Sequence, residues 1–283
     1  MLSSNMEDTL LLDVGGTFIK TSDGREIPVD SNADITSIAD SFTSAIGDFC
    51  RKASSAPSIR HGIGVAIPGP FDYSHGIFLM THKYASVKGM DFRTIAEIPE
   101  CVELRFAHDV NCMLAGEISC GNGQGFDRVA LVTLGTGLGF SMYIDGRILK
   151  KESGSPLVSI FSLPYKDGVL EDYASKRGIM NYYVSKVGET VSVKEIAERA
   201  YLGDRAAQAA FDMAGSVVAE TVATILKDYG IECLLFGGQI SRSFSLMESA
   251  VRDGLAGVPS LKSVNIISDF SNATFKGLET LMR

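Results

Sequence analysis

Leu10-Leu11-Leu12-Asp13-Val14-Gly15-Gly16-Thr17 is an apolar run that ends on an acid and breaks at a glycine pair. Such a run reads as a buried strand entering a tight turn. Phe18-Ile19-Lys20-Thr21-Ser22 follows, then the turn signal Asp23-Gly24-Arg25, then another short strand. The same order returns at Val129-Ala130-Leu131-Val132-Thr133-Leu134-Gly135-Thr136-Gly137-Leu138-Gly139. It continues through Phe140-Ser141-Met142-Tyr143-Ile144, turns at Asp145-Gly146-Arg147 and resumes with Ile148-Leu149. Asp-Gly between apolar runs is a hairpin signal. Any β-rich protein contains strand-glycine-strand units. Here both copies place a glycine-rich first turn before an Asp-Gly-Arg second turn. They start about 120 residues apart, roughly the length of one domain, which favours duplication of one unit.

Each copy is followed by α/β material. Residues 35–53 carry apolar side chains at Ile35, Ile38, Ala39, Phe42, Ala45, Ile46 and Phe49, the spacing of a helix with one buried face. Gly62-Ile63-Gly64-Val65-Ala66-Ile67 reads as a buried strand stopped by Pro68-Gly69-Pro70. In the second half, residues 205–229 predict a long Ala- and Val-rich helix capped by Gly230. Cys233-Leu234-Leu235-Phe236 is then a strand running into Gly237-Gly238. No low-complexity linker separates the halves, so two lobes with a cleft between them are expected.

Bulk properties narrow the function classes. The 283 residues are 45% hydrophobic and 21% charged, with a net charge of −8. That length holds two buried cores, and the balance is that of a globular protein. No stretch supplies the roughly 18 unbroken apolar residues of a membrane span. The short polar start at residues 1–9 lacks a basic end and an apolar signal core, so no membrane partner and a cytoplasmic location are expected. The acidic balance argues against nucleic acid as partner. It leaves room for an anionic ligand held by backbone N–H groups. The five cysteines, Cys50, Cys101, Cys112, Cys120 and Cys233, form no C-x-x-C pair. They read as ordinary buried thiols rather than a disulfide framework or a zinc site.

The two glycine turns suggest phosphate. Close approach of backbone N–H donors needs residues without Cβ, and both Asp13 to Thr17 and Gly135 to Gly139 offer such loops. On opposite walls of one cleft they would hold the terminal phosphates of a nucleotide, with Thr17 and Thr136 adding hydroxyls. Asp13, at the end of a buried strand, needs a cation to offset its desolvation, and magnesium bound through water is a reasonable partner. Neither loop is a Walker A motif or a dinucleotide fingerprint. A plain tight turn accounts for either loop alone; the two in order are more informative.

The motif order along almost the whole chain resembles the ROK family (repressor, ORF, kinase) of sugar kinases, within the actin-like ATPase fold. Leu12-Asp13-Val14-Gly15-Gly16-Thr17 with Lys20 is similar to the first phosphate motif. Leu134-Gly135-Thr136-Gly137-Leu138-Gly139 is similar to the second. Ile67-Pro68-Gly69-Pro70 resembles the loop beside the sugar, His108-Asp109-Val110-Asn111 with Ala115-Gly116-Glu117 the catalytic segment, and Leu170-Glu171-Asp172-Tyr173-Ala174-Ser175 the segment whose glutamate binds sugar. Phe236-Gly237-Gly238-Gln239-Ile240 resembles the adenosine motif.

The resemblance implies an α/β, two-lobed actin-like ATPase (ribonuclease H-like) fold with a central interdomain cleft. Residues 1–107 would form the small lobe, with a C-terminal helix at 270–283 packing back on it, and residues 108–269 the large lobe. It implies a transferase using ATP and Mg2+ to phosphorylate a hexose or amino-sugar hydroxyl, in the manner of glucokinases and N-acetylhexosamine kinases. Asp109 would be the catalytic base. Gly69, His108, Asp109 and Glu171 would face the sugar. Asp13, Gly15, Gly16, Thr17, Lys20, Gly135, Thr136, Gly137, Gly139, Gly237, Gly238 and Gln239 would serve ATP. A homodimer is the family's usual habit. Without the flanking motifs Asp109 reads as an N-cap aspartate and Glu171 as a surface charge early in a helix.

Three positions depart from the family pattern. The Glu-x-x-His pair expected after the second hairpin is incomplete, because residues 151–168 contain no histidine. Residues 160–169 lack the His/Cys cluster, so no structural zinc is expected. His108 stands where asparagine is usual. These losses fall on sugar recognition and the zinc brace, not on the ATP motifs. A changed sugar or weak activity would follow, since a polar site discriminates through its hydrogen-bonding partners. The alternative function is a catalytically weak sugar- or nucleotide-binding regulator. A DNA-binding repressor is disfavoured by the twelve residues before Asp13, and another actin-like enzyme would leave the 171–175 segment unexplained.

Overall fold

The computed structural model describes residues 8–56 and 58–282. The polar start at residues 1–7 and Arg283, the end of the expected C-terminal helix, lie outside the described residues. The chain divides into two compact units. One comprises residues 1–119, 150–156 and 271–283, and the other residues 120–149 and 157–270. The division after residue 119 falls at the last residue of the helix Asp109–Cys120, which was expected in the larger lobe.

The first unit contains β1 (Asp8–Val14), β2 (Phe18–Thr21), β3 (Glu26–Pro28) and α1 (Ile35–Ser55). It continues with β4 (His61–Ile67), β5 (Phe71–Asp72), β6 (Ile77–Phe78), α2 (Phe92–Ile95), β7 (Val102–His108) and α3 (Asp109–Cys120). The second unit contains β8 (Arg128–Leu134), β9 (Leu138–Ile144), β10 (Arg147–Ile148), β11 (Pro164–Tyr165) and β12 (Gly168–Val169). There follow α4 (Leu170–Ala174), α5 (Lys176–Val187), α6 (Val193–Tyr201), α7 (Arg205–Asp228), β13 (Cys233–Gly237), α8 (Glu248–Leu255) and β14 (Ser263–Ile266). The last helix, α9 (Ala273–Met282), belongs to the first unit.

The two main sheets repeat one plan. Their strand orders are β3-β2-β1-β4-β7 and β10-β9-β8-β13-β14. Each begins with an antiparallel meander and continues with two parallel strands. The second hairpins differ in detail. The first closes over residues 22–24 with Gly24 at φ 89°, whereas the second closes over Asp145 and Gly146, both at positive φ (48° and 92°). Two consecutive left-handed residues are the signature of a tight two-residue hairpin.

Strand alternation sorts the side chains of β1. Leu10, Leu12 and Val14 join α1 residues Ile38, Phe42 and Ile46 in one core. Leu11 faces the other way and packs with Ala66, Cys112, Phe275 and Leu278. Asp13, two residues on from Leu11, shares that second face, over which α3 and α9 lie. β4 is buried at every residue, as expected of a parallel strand covered on both faces. In the second unit α7 is long and apolar enough to cross a membrane by length and composition, which no unbroken run in the sequence signals. Its apolar side is core: Ala207, Ala210, Phe211, Ala214, Val217, Val218, Val222 and Leu226 are buried. Gly230, at φ 61°, follows its C-cap. Cys50, Cys112 and Cys233 are buried, but Cys101 and Cys120 are exposed, which corrects the expectation of five buried thiols.

Candidate active site

In the first unit, β1 delivers Asp13 to the mouth of a turn at Gly15 and Gly16. The Gly15 N–H donates to the Phe18 carbonyl at 2.9 Å, and the Gly16 carbonyl accepts from Ser31 N–H at 3.1 Å. The turn is thus closed on itself while Thr17 remains exposed. Lys20 sits across β2 in register with Asp13, and its ammonium lies 3.5 Å from Glu26.

β7 and α3 meet at His108 and Asp109. Asp109 is the first residue of α3, where the helix dipole favours a carboxylate. Its Oδ1 accepts the Val110 N–H at 2.8 Å and lies 2.8 Å from His108 Nδ1. The Asp109 side chain keeps 32% of its surface exposed, against 15% for His108. Burial alone would raise the Asp109 carboxyl. The His108 ring, the Val110 N–H and the Lys83 ammonium together outweigh burial and hold it below the ordinary carboxylate range. It is therefore ionised at neutral pH and able to take a proton.

Asp13 behaves in the opposite way. Burial, with the Asp109 charge adding to it, pushes its carboxyl up to about 7, and Lys20 only partly offsets this. An acid whose charged form is so poorly compensated fits a cation ligand, because a bound divalent ion would restore the missing charge. Asp13 therefore suits magnesium. Among the described residues no group of three or more His, Cys, Asp or Glu side chains is arranged to hold a metal by itself.

Gly69 lies against this pair. A Cβ there would stand 3.3 Å from Tyr73 Oη and 3.6 Å from the His108 ring. Tyr73 in turn donates to the Ile67 carbonyl at 3.0 Å and has its ring centroid 5.9 Å from that of His108. The segment 150–156, where the pattern histidine is lacking, belongs to the same unit. Its Gly154 carbonyl accepts from Asn111 Nδ2 at 3.2 Å, and a Cβ on Gly154 would meet the Tyr73 ring at 3.0 Å. Tyr73, Asn111 and Lys83 were not read as site residues from the sequence. Tyr73 and Lys83 sit in loops without a motif, and Asn111 lies in the segment resembling the catalytic one with no signal of its own.

The second unit carries the other predicted residues. Gly135 N–H donates to the Gly137 carbonyl at 3.1 Å, and the Gly135 carbonyl accepts from Lys176 N–H at 2.9 Å. Thr136 and Gly137 are exposed, and Gly139 lies in β9 opposite Thr133. Glu171, on α4, accepts the Leu138 N–H at 3.0 Å through Oε2. A Cβ on Gly137 would come within 2.8 Å of that oxygen. Glu171 therefore braces the glycine loop, a role the sequence reading did not give it. Gly237 ends β13, and Gly238 takes φ 82°, the left-handed region that favours glycine. The Ser241 hydroxyl donates to the Gly237 carbonyl at 2.6 Å, and Gln239 accepts from Arg242 Nε at 3.0 Å. The structure gathers Asp13, Gly15, Gly16, Thr17, Lys20, Gly69, His108 and Asp109 in one unit. Gly135, Thr136, Gly137, Gly139, Glu171, Gly237, Gly238 and Gln239 lie in the other.

Comparison with known proteins covers both units. The model of the ROK family matches residues 10–156 and 164–269. A glucokinase of Thermotoga maritima is 24% identical over 214 residues, covering 68% of each chain. An N-acetyl-D-glucosamine kinase of Mannheimia succiniciproducens is 24% identical over 227 residues, 72% of this chain and 73% of its own. Among solved structures, a ROK family glucokinase from Streptomyces griseus in complex with glucose and AMPPNP superposes with a TM-score of 0.77. It is 20% identical, over 96% of this chain and 98% of its own. The fold is accordingly the α/β, two-lobed actin-like ATPase fold.

Proposed function

The chain belongs to the ROK family, and from that premise we propose that it is an ATP- and magnesium-dependent kinase of a hexose or amino-sugar hydroxyl, with Asp109 as the base. One observation carries this reading: an ionised, partly exposed carboxylate stands at the N-terminus of α3 in the same unit as the Asp13–Gly16 turn. The relatives named as glucokinase and N-acetyl-D-glucosamine kinase support the substrate class.

In this reading Asp109 accepts the proton of the sugar hydroxyl as its oxygen attacks the γ-phosphorus, while the bond to the β-phosphate oxygen breaks and ADP leaves. His108 and the Val110 N–H hold the carboxylate in place and keep it ionised. Asp13 would hold magnesium through water, and the ion supplies charge neutralisation to the phosphates. The N–H groups of Gly16 and Gly137, with the hydroxyls of Thr17 and Thr136, bind phosphate oxygens, Gly15 and Gly135 close the two turns that present them, Gly139 continues the second, and Lys20 adds positive charge. Gly237, Gly238 and Gln239 take the adenosine. Gly69, His108 and Glu171 contact the sugar.

The test is ADP release over a panel of hexoses and N-acetylhexosamines, with the wild type and Asp109→Asn. Sugar-dependent turnover in the wild type that falls roughly 10²- to 10⁴-fold in the variant, with nucleotide affinity retained, is the expected outcome for loss of a general base. Nucleotide binding without turnover on any sugar would make the protein a regulator instead. A change of less than about fivefold in Asp109→Asn would remove Asp109 from the mechanism.

A further inference from the structure

The loop after β6 lies against the Gly15–Gly16 turn. Tyr84 has left-handed backbone torsions (φ 52°), which a bulky residue keeps only where its surroundings over-determine it. Here they do. The Tyr84 N–H donates to the Ser31 carbonyl at 2.6 Å, and its hydroxyl donates to the Gly15 carbonyl at 2.6 Å. Its fully buried ring packs among Phe42 and Phe78. Tyr84 therefore pins the neighbouring residue, Lys83, beside the glycine turn.

The Lys83 side chain runs across Gly16. A Cβ at residue 16 would stand 3.5 Å from Lys83 Cε and 3.6 Å from Cδ, so the lysine stem occupies space that only a small residue at 16 leaves open. Its ammonium is close enough to Asp109 to bias that carboxyl. Among the described residues Lys83, unlike Lys20, has no hydrogen bond or ion pair with a carboxylate. A half-buried lysine whose stem crosses the glycine turn and whose charge has no carboxylate partner among the described residues is poised for an anion.

We propose that Lys83 is a catalytic residue whose ammonium binds the phosphoryl group in flight between the Gly15–Gly16 turn and Asp109. The inference rests on the kinase reading and deepens it. The sugar oxygen forms its bond to phosphorus, the bond to ADP breaks with its electron pair leaving on ADP, and the hydroxyl proton goes to Asp109. Lys83 keeps its proton throughout and neutralises charge on the equatorial oxygens, as a point charge suits a loose phosphoryl-transfer transition state.

Lys83→Met keeps the stem over Gly16 and removes the charge; Lys83→Arg restores charge. For Lys83→Met, kcat should fall roughly 10²- to 10³-fold while KM for the sugar stays within about threefold, and Lys83→Arg should recover at least about tenfold of that loss. Calorimetric titration with magnesium-AMPPNP and magnesium-ADP gives a readout that needs no turnover. Lys83→Met should bind AMPPNP at least about tenfold more weakly and ADP within about threefold of wild type. Unchanged kcat, no recovery in Lys83→Arg, or equal effects on the two nucleotides would overturn the proposal; equal loss with a lowered melting temperature would mark Lys83 as structural. Should the wild type phosphorylate no sugar, the kinase reading fails, and the two nucleotide affinities still decide Lys83.

Discussion

Asp13 and Asp109 are both carboxylates at the ends of strand-to-turn or strand-to-helix junctions, yet their surroundings drive them apart. Asp109 is held below the ordinary range because His108, the Val110 N–H and Lys83 more than offset burial. The acid limb of kcat/KM for the sugar should accordingly lie below the ordinary aspartate value. His108→Gln removes the largest of the lowering influences, so that limb should move to higher pH, and a pH–rate profile of the two proteins checks it. Asp13 runs the other way. Its folded value of about 7 lies above the ordinary 3.8, so the neutral form is favoured by the fold. The associated stability is fully present below about pH 4 and is lost as pH rises through 7. Asp13→Asn should therefore match wild type in urea unfolding at pH 4 and exceed it at pH 8, without magnesium, by about 2 kcal/mol, the full linkage value being discounted for solvent contact. Lys83 belongs to this scale too. No residue pattern marks it, because its position is set by the torsions of Tyr84 and by the absence of a side chain at Gly16, and neither can be read from a loop of mixed composition.

The long helices and both hairpins were legible because their signals are periodic or chemical: apolar spacing in α1 and α7, and Asp-Gly at two turns. What was not legible is how α3 and α9 meet. Gly116 and Gly277 bring the two backbones into contact. A Cβ at 277 would fall 1.7 Å from the Cys112 carbonyl oxygen, and one at 116 would fall 2.0 Å from that of Ala273. A glycine inside a helix gives no apolar periodicity and reads only as a weak spot. Its use appears once the partner helix is in place. α3 also positions Asp109, so this contact holds the base. Gly277→Ala should destabilise by about 3 kcal/mol or more, as overpacking against rigid backbone does. Gly47→Ala in α1 is the contrast. Its new Cβ would meet only the flexible ends of Arg51 and Thr43, at 3.4 and 3.9 Å, so the helix should gain roughly 0.5–1 kcal/mol. Denaturant midpoints of the two variants, opposite in sign relative to wild type, would check both.

At the scale of the chain, the duplication visible as two glycine-turn hairpins became two sheets with one strand order. The sequence carried that much because hairpin chemistry is local. The unit boundary was harder to read, since the first unit runs on to residue 119 and takes in residues 150–156, stretches that carry no linker composition; of its remote pieces only the C-terminal helix at 270–283 was expected, and that by resemblance. The proposed function makes nucleotide affinity depend on residues of both units, and this can be tested without turnover. Gly137→Ala places a Cβ 2.8 Å from the end of the flexible Glu171 side chain, which can give way while the fold persists. Gly16→Ala meets Ser31 Oγ at 3.3 Å and the Lys83 stem at 3.5 Å. Each should weaken magnesium-AMPPNP roughly tenfold. Ligand at 100 times the wild-type Kd stabilises the wild type by about 2.7 kcal/mol, and the same concentration should stabilise either variant by about 1.4 kcal/mol. Thermal unfolding with and without nucleotide measures this directly. If Gly16→Ala lost the stabilisation and Gly137→Ala kept all of it, the nucleotide would be served by the first unit alone, and the second glycine turn would be a turn and nothing more.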